Sequence, residues 1–395
     1  MIIEEMKKIL RVKRLLLLAA FAVLYFILFL KPYVQSSAGT YSQYKTLGKK
    51  VSESYGDPLT PDHFQAVNAE YERMAAFPDQ PLADINAFVQ NDEQFKAYGF
   101  DGLENFMSEV DRLSYGEQVD LMSRIYEKLG SQNMDKGTAQ LIDLGFWREL
   151  VDCYRQEILF SLESENGTSY YENLTTEQKA RVHARNKEEV YRLLPGRILD
   201  NNFEVLQFLG AFMILSGIFI VLPYMVSDNR SRMTALQYTS VKGRRYYLYK
   251  LAAVVLSVVA ILAVELMFYG LIAGINGVFD YWNVSVSSFL SGFISWFNLT
   301  LGQLSMLALG LCVLLAVGIA LLVFCITAYC SNYITAIAWQ LPWVVLAGVY
   351  GGILMISFTE ITGNKYVTPA VGVCGFLAGV VIASGQYLLE RKKNI

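Results

Sequence analysis

Apolar residues in this 395-residue chain are gathered into long runs, and this distribution constrains the fold more than any other feature. Residues 15–30 form an unbroken apolar run, residues 32–203 are polar, and residues 204–388 are mostly apolar again. As a helix the first run is about 24 Å long, close to the roughly 30 Å hydrocarbon core of a bilayer. The pattern predicts one membrane span, a large polar insert and a bundle of further spans.

Five further spans are predicted in the second apolar region, which gives a mainly α fold: a polytopic six-helix transmembrane bundle with a mostly helical insert. The predicted spans cover residues 15–30, 203–226, 249–275, 299–328, 334–358 and 366–389. The predicted domains are the N-terminus with the first span (1–31), the insert (32–203), the second span (204–226), a basic loop (227–248), spans three to six (249–389) and a tail (390–395).

The first apolar run has a second interpretation as a cleaved signal peptide. Basic residues precede it and the small residues 36–39 follow it, as in secretory leaders. We expect the run to be retained as a span, because it is long and no clean A-x-A cleavage site follows. Arg14 and Lys31 can then reach the headgroups at its two ends.

Charge is distributed unevenly along the chain. The insert carries 17 Lys and Arg against 28 Asp and Glu. Residues 227–250 hold six Lys and Arg against one acid, whereas residues 276–298 hold no Lys or Arg. Because positively charged loops remain in the cytoplasm, we expect both termini and the 227–250 loop to be cytoplasmic and the insert to face outside, in a bacterial cytoplasmic membrane. An acidic domain beside basic membrane loops argues against nucleic-acid binding.

The insert contains clear helix signals. Thr60-Pro61 has an N-cap residue followed by proline at the first helical position, and residues 175–178 form a capping box that opens a helix toward Leu194. An apolar stripe at helical spacing predicts a core rather than a ligand site; it comprises Phe95, Phe100, Leu103, Phe106, Met107, Val110 and Leu113. Outside the insert, residues 287–297 fit either an interfacial or re-entrant helix or an extension of the fourth span.

Residues for bond chemistry are scarce. The two histidines, His63 and His183, lie far apart in the insert, and no metal-binding, nucleophile or phosphate-loop motif accompanies them. Only Cys153 of the five cysteines lies in the insert, so that domain cannot be held by an internal disulfide. The sequence therefore predicts no catalytic residue, no metal site and no cofactor bound by this chain.

The basic loop between spans two and three carries the most specific signal. Ser227 or Asp228 can cap a short helix from about residue 229 to 238, and Lys242-Gly243 would end it. A helix this short has too little apolar surface to fold alone, so it either lies on headgroups or docks into a partner. An acidic residue leaving span two, this short helix, residues 238–244 (YTSVKGR) and Lys250 at the start of span three form a recognisable order.

In this order and in its six-helix layout the chain resembles type-2 ABC exporter permeases, in particular the branch with a large extracytoplasmic insert between spans one and two. The family more often has Glu at the position of Asp228. The resemblance implies a coupling helix that fits a cleft on a separate ATPase subunit, where Mg-ATP is bound, and a second permease, identical or homologous. The residues then expected to couple to the ATPase are Asp228, Arg230, Arg232, Met233, Leu236, Gln237, Tyr238, Gly243 and Arg244. The alternative is a solvated basic loop that merely obeys the positive-inside rule.

Polar residues within the spans are the other candidates. Glu265 is the one acid well inside a span, so it is a candidate for the translocation path or for a structural pair. Gln340 and Pro342 predict a kink with a polar lining in the fifth span. Gly375 and Gly379, like Gly348 and Gly351, permit close helix contacts.

Three functions remain open from the sequence. The first is the permease subunit of an ATP-driven exporter that moves an amphiphile, such as an antimicrobial peptide or a lipid-like compound, with membrane lipid, a second permease and ATPase subunits as partners. The second is an ATP-independent membrane sensor whose insert binds a ligand. The third, a secondary transporter using Glu265 as an ion site, is disfavoured because the spans show no internal repeat.

Overall fold

The computed structural model describes residues 1–77, 82–166, 174–184, 190–231, 245–291, 294–330, 332–354, 357 and 359–392. The chain divides into two compact units. The membrane unit comprises Met1–Ala38, Gly196–Ser287 and Phe293–Ile395, and the insert unit comprises Gly39–Pro195 and Ser288–Gly292. The described residues form helices and a few isolated bridges, and no strand occurs among them.

Among the described residues, six helices of the membrane unit are long and apolar enough to cross a bilayer, which confirms the predicted number of spans. The first begins at Val12 and passes through a π-helical turn at Phe26–Leu30. The candidate spans are Val12–Val34, Gly196–Arg230, Tyr246–Ile275, Leu301–Thr327, Tyr333–Gly352 and Val367–Arg391.

The fourth span, together with the second, forms the centre of the bundle, because both are buried along most of their length, whereas less than half of spans one, three, five and six is buried. Glycines allow its neighbours to approach. A Cβ atom on Gly318 would lie 2.5 Å from the carbonyl oxygen of Gly375, and one on Gly379 would collide with the Gly318 backbone. The predicted close contact at Gly375 and Gly379 is therefore confirmed, with span four as the partner of span six.

The fifth span is broken, as Pro342 predicted. One helical part covers Tyr333–Ala338, a second covers Leu341–Val349, and a π-helical turn follows at Tyr350–Leu354. Pro342 lies in the first turn of the second part, where its missing N–H costs nothing. Gly351 in the π-helical turn packs on the second span, where a Cβ atom would lie 2.7 Å from both the Gln207 carbonyl oxygen and the Ala211 Cβ.

Both interpretations of residues 287–297 were wrong. In its described parts, residues 287–291 and 294–297, the segment contains one short 3-10 turn, at Phe289–Ser291. The fourth span begins only at Leu301, where Thr300 accepts a hydrogen bond from the Gln303 N–H at 3.2 Å. Serine side chains capture backbone donors that a helix would need, as where Ser287 Oγ accepts from the Ser295 N–H at 3.0 Å. Backbone pairing with the loop before span six replaces the helix, through Trp296 to Thr359 and Ile361 to Ile294.

The insert unit has a helical core of its own. Its helices cover Phe64–Ala75, Leu82–Asn91, Glu93–Ala97, Leu103–Glu109, Tyr115–Asn166 and Thr176–His183, while Lys31–Tyr55 continues from the first span. The predicted apolar stripe is confirmed as core, since Phe95, Phe100, Leu103 and Phe106 are buried together. The predicted caps are also present: the Thr175 N–H donates to Gln178 at 2.7 Å, and the Thr60 N–H donates to His63 at 3.3 Å.

An N-terminal helix, Ile2–Ile9, precedes the first span and was not predicted as a separate element. It is amphipathic: Glu5 and Ile9 are buried, whereas Ile3, Glu4 and Lys7 are exposed. In the sequence these residues are recognisable only as a basic flank of the first span. The helix packs on the third span and, to a lesser extent, on the second.

Candidate functional site

Asp228 and Lys250, the two charged residues that border the basic loop, form a buried ion pair. Asp228 lies in the last turn of span two and Lys250 in the second turn of span three, and the Lys250 ammonium donates to Asp228 Oδ2 at 2.6 Å. Each residue sits at the unfavourable end of its helix, since an acid is disfavoured at a C-terminus and a base at an N-terminus. Mutual pairing offsets that cost and joins the two ends of the loop.

Glu5 of the N-terminal helix forms a second buried site beside this pair. Its carboxylate accepts from Lys8 at 2.6 Å, from the Tyr224 hydroxyl of span two at 2.5 Å, and from the Tyr246 hydroxyl of span three. Burial on its own raises the pKa of Glu5, but the hydrogen bonds from Lys8, Tyr224 and Tyr246 outweigh it and lower the pKa below its ordinary value. Three elements therefore meet on one carboxylate.

The two sites share their tyrosines. The Lys250 ammonium lies 5.8 Å from the ring centre of Tyr224 and 5.6 Å from that of Tyr246, within the range of a cation–π contact. Each tyrosine thus donates its hydroxyl to Glu5 and offers its ring to Lys250. We call these six residues the charged cluster: Glu5, Lys8, Tyr224, Asp228, Tyr246 and Lys250.

Two further side chains fix the elements around the charged cluster. Arg14 donates to the carbonyls of Lys8 and Ile9 at the end of the N-terminal helix, at 3.0 and 3.5 Å, and to Pro223 of span two at 3.4 Å. Asn229 donates to carbonyls at the end of span four and the turn beyond it; these are Thr327, Ala328 and Cys330, at 3.2, 2.7 and 3.2 Å. The last carbonyls of a helix have no N–H partner within that helix, and the Arg14 and Asn229 side chains provide donors for them.

The remaining predicted coupling residues are only partly described. Arg230, the last residue of span two, is exposed. The others lie outside the described residues: Arg232, Met233, Leu236, Gln237, Tyr238, Gly243 and Arg244. The sequence marks Asp228 and Lys250 but does not show that they pair. It also gives no direct sign of Glu5, Tyr224, Tyr246 and Asn229, although the spacing of Ile2, Glu5 and Ile9 is a helical signal for a buried face.

Glu265 and Gln340 occupy different parts of the bundle. Glu265, which is 7% exposed, lines an apolar cavity of about 340 Å³ between spans one, two and three. Gln340 is 2% exposed at the break in span five, and among the described residues neither of its amide atoms has a hydrogen-bond partner. At the kink, the polar group that the sequence predicted is therefore a buried amide whose side-chain atoms make no hydrogen bond within the described residues.

Over the described ranges, no group of three or more His, Cys, Asp and Glu side chains could hold a metal ion. The charged cluster contains acids, amines and phenols that are already paired with one another. Its geometry holds the ends of these helices together.

The fold and the charged cluster define a multi-pass membrane protein in which two spans, the N-terminal helix and the base of a basic loop are joined by buried charges. A family model described as ABC-2 family transporter protein matches residues 106–369, more than half of the chain. The chain therefore belongs to the ABC-2 transporter permease family, whose members are membrane subunits that partner with an ABC ATPase subunit and are generally not catalytic themselves. Comparisons with characterised proteins and with solved structures gave no match.

Proposed function

We propose that the chain is the permease subunit of an ATP-driven exporter and that a separate ATPase docks on the basic loop, residues 227–245. The charged cluster is the observation that carries this proposal. Because Asp228 pairs with Lys250 and Glu5 bonds to both spans, a load applied to the loop would act on spans two and three and the N-terminal helix together. A solvated loop would gain nothing from buried charges at its base, which are costly to keep out of water.

The charge distribution supports one orientation. The loop and the tail are basic and the insert is acidic, so the positive-inside rule places the loop and both termini in the cytoplasm and the insert outside. ATP is available to the loop only in this orientation. The ATPase subunit would then bind Mg-ATP, and two permeases, identical or homologous, would move together in the bacterial cytoplasmic membrane.

The exported compound is proposed to be an amphiphile, such as an antimicrobial peptide or a lipid-like molecule. Spans one, three, five and six expose apolar side chains along much of their length, so a ligand dissolved in the bilayer can reach them directly. The insert, with its separate core, would act on the exit side.

Co-purification of the tagged chain with its ATPase in mild detergent tests the docking step. Wild type is expected to retain the ATPase. Leu236→Asp places a negative charge on the predicted docking face and Arg230→Glu reverses a charge there, so both variants are expected to lose the ATPase. Arg391→Glu, a reversal at the end of span six, is the matched control and should retain it. Equal retention by all variants would contradict docking on this loop, and a wild type that purifies without the ATPase would favour the sensor function.

A further inference from the structure

The insert unit contains a small cavity between four of its helices that the proposed function does not use. Its volume is about 160 Å³. One water molecule takes about 30 Å³ of liquid water, so the cavity has room for a small metabolite of about five to ten non-hydrogen atoms. The residues that line it are Lys50, Arg73, Met74, Leu82, Gln140, Asp143 and Trp147.

The wall of this cavity is mixed, and polar atoms form more of its exposed surface than apolar atoms do. Gln140, Asp143 and Trp147 follow one another at a spacing of i, i+3 and i+7, so one face of their helix presents them together. The Trp147 ring, which is 3% exposed, forms the apolar part of the wall with Met74 and Leu82. A ligand would therefore meet polar groups on one side and an apolar surface on the other.

Two opposite charges line the cavity without pairing. Lys50 is exposed and Asp143 is half-buried, and neither has a hydrogen bond or an ion pair with another described residue. Burial raises the pKa of Asp143 and the Lys50 ammonium opposes that rise, so the two groups lie close enough to act on each other. Arg73 also lines the cavity, but its guanidinium donates to Glu70 at 2.9 and 2.8 Å. One cation and one anion are thus left without partners on the wall of one small space.

We propose that this cavity binds a free aliphatic amino acid, with its carboxylate on Lys50 and its ammonium group on Asp143. Charge-assisted hydrogen bonds are roughly twice as strong as neutral ones, and such a ligand makes them at both ends. A molecule with a single charge would leave one of the two side chains uncompensated. The aliphatic side chain of the ligand would lie against Met74, Leu82 and Trp147. Alanine, valine and leucine, with about six to nine non-hydrogen atoms, fit the volume.

Isothermal titration calorimetry of the purified full chain in detergent tests the site, which depends neither on transport nor on the ATPase. The ligands are L-alanine, L-valine and L-leucine, each compared with the acid that lacks its amino group and the amine that lacks its carboxylate. For valine these are isovalerate and isobutylamine. At least one amino acid should bind saturably, and its two analogues should bind at least about tenfold more weakly, because each loses a charged contact.

Two substitutions with matched controls locate the effect. Lys50→Met and Asp143→Asn each remove one charge, so each should weaken binding of the amino acid at least about tenfold. Asp143→Asn should also strengthen binding of the acid analogue, because it removes a like charge from the cavity. The controls are Lys49→Met, at a neighbouring lysine that pairs with Glu53, and Asp152→Asn, farther along the helix that carries Asp143. Both should bind as wild type does.

Three results would overturn the proposal. They are no saturable binding of any of the three amino acids, equal binding of an amino acid and its acid or amine analogue, and undiminished binding by Lys50→Met or Asp143→Asn. None of them bears on ATPase docking, which the co-purification tests separately.

Discussion

At the scale of single residues, the charged cluster is held by pairing rather than by helix preference. Asp228 and Lys250 are each 9% exposed or less, and each lies at the wrong end of its helix for its charge. Removing one partner therefore leaves an uncompensated charge away from water, while removing both leaves none.

A double-mutant cycle on this pair should be strongly non-additive. Asp228→Asn and Lys250→Met should each lower the free energy of unfolding by about 3–5 kcal/mol, and the double variant should lose much less than the sum. Thermal unfolding in detergent measures all four proteins. Additive losses would show that the two side chains do not interact.

Glu5 predicts a pH dependence for the N-terminal helix. Its pKa is lower in the folded chain, so its contribution to stability is present above the ordinary value of 4.5 and is lost as the pH falls through the folded pKa. A spin label at the exposed Ile3 should become more mobile in that acid range.

The matched variants separate Glu5 from its neighbour. Glu5→Gln should leave the spin label mobile at every pH, whereas Glu4→Gln, which alters an exposed pair with Lys7, should behave as wild type. A label that stays immobile until the whole chain unfolds in acid would contradict the role of Glu5.

Gln340 predicts a gain in stability when it is replaced. Its amide is buried at the break in span five without partners among the described residues, and each unsatisfied group costs about 1–3 kcal/mol. Gln340→Leu should raise the unfolding temperature of the isolated subunit. If the same variant also impairs transport, Gln340 contacts the ligand or the second permease; a lower unfolding temperature would contradict the unsatisfied amide.

At the scale of elements, close helix contact holds the bundle. Span four meets span six where Gly318 faces Gly375 and Gly379, and no side chain fits between these backbones. Gly379→Leu should therefore unfold or separate the two spans. Gly385→Leu, on the same helix with open space around it, is the control and should fold normally. Crosslinking between spans four and six would report the contact; equal behaviour of the two variants would contradict it.

The elements also show what the sequence could and could not predict. The long apolar runs predict six spans because the thickness of a bilayer sets the length of an apolar helix. Pro342 predicts the break in the fifth span because proline has no N–H to donate within a helix. The prediction for residues 287–297 failed because serine side chains accept hydrogen bonds from the backbone there, and hydrophobic periodicity does not reveal such bonds. The N-terminal helix was missed because its buried Glu5 looks like a solvated charge until Tyr224 and Tyr246 are brought to it by the fold.

At the scale of the whole molecule, charge asymmetry predicts orientation. A cysteine introduced at Asn91 in the insert should react with a membrane-impermeant maleimide on intact cells, and one at Ser231 should react only after permeabilisation. Both positions are exposed, and the background would carry serine at Cys153 and Cys374. The reverse labelling pattern would show the opposite topology, in which the loop faces outside and cannot meet ATP.

Photo-crosslinking in native membranes is the sharpest test of whether an ATPase subunit docks on the basic loop. A benzophenone amino acid would replace Leu236, with the same replacement at the lipid-exposed Val381 as control, and the adduct would be identified by mass spectrometry. Position 236, and not position 381, should capture a protein with an ATP-binding phosphate loop. Capture of lipid alone, or of a protein without that loop, would contradict it.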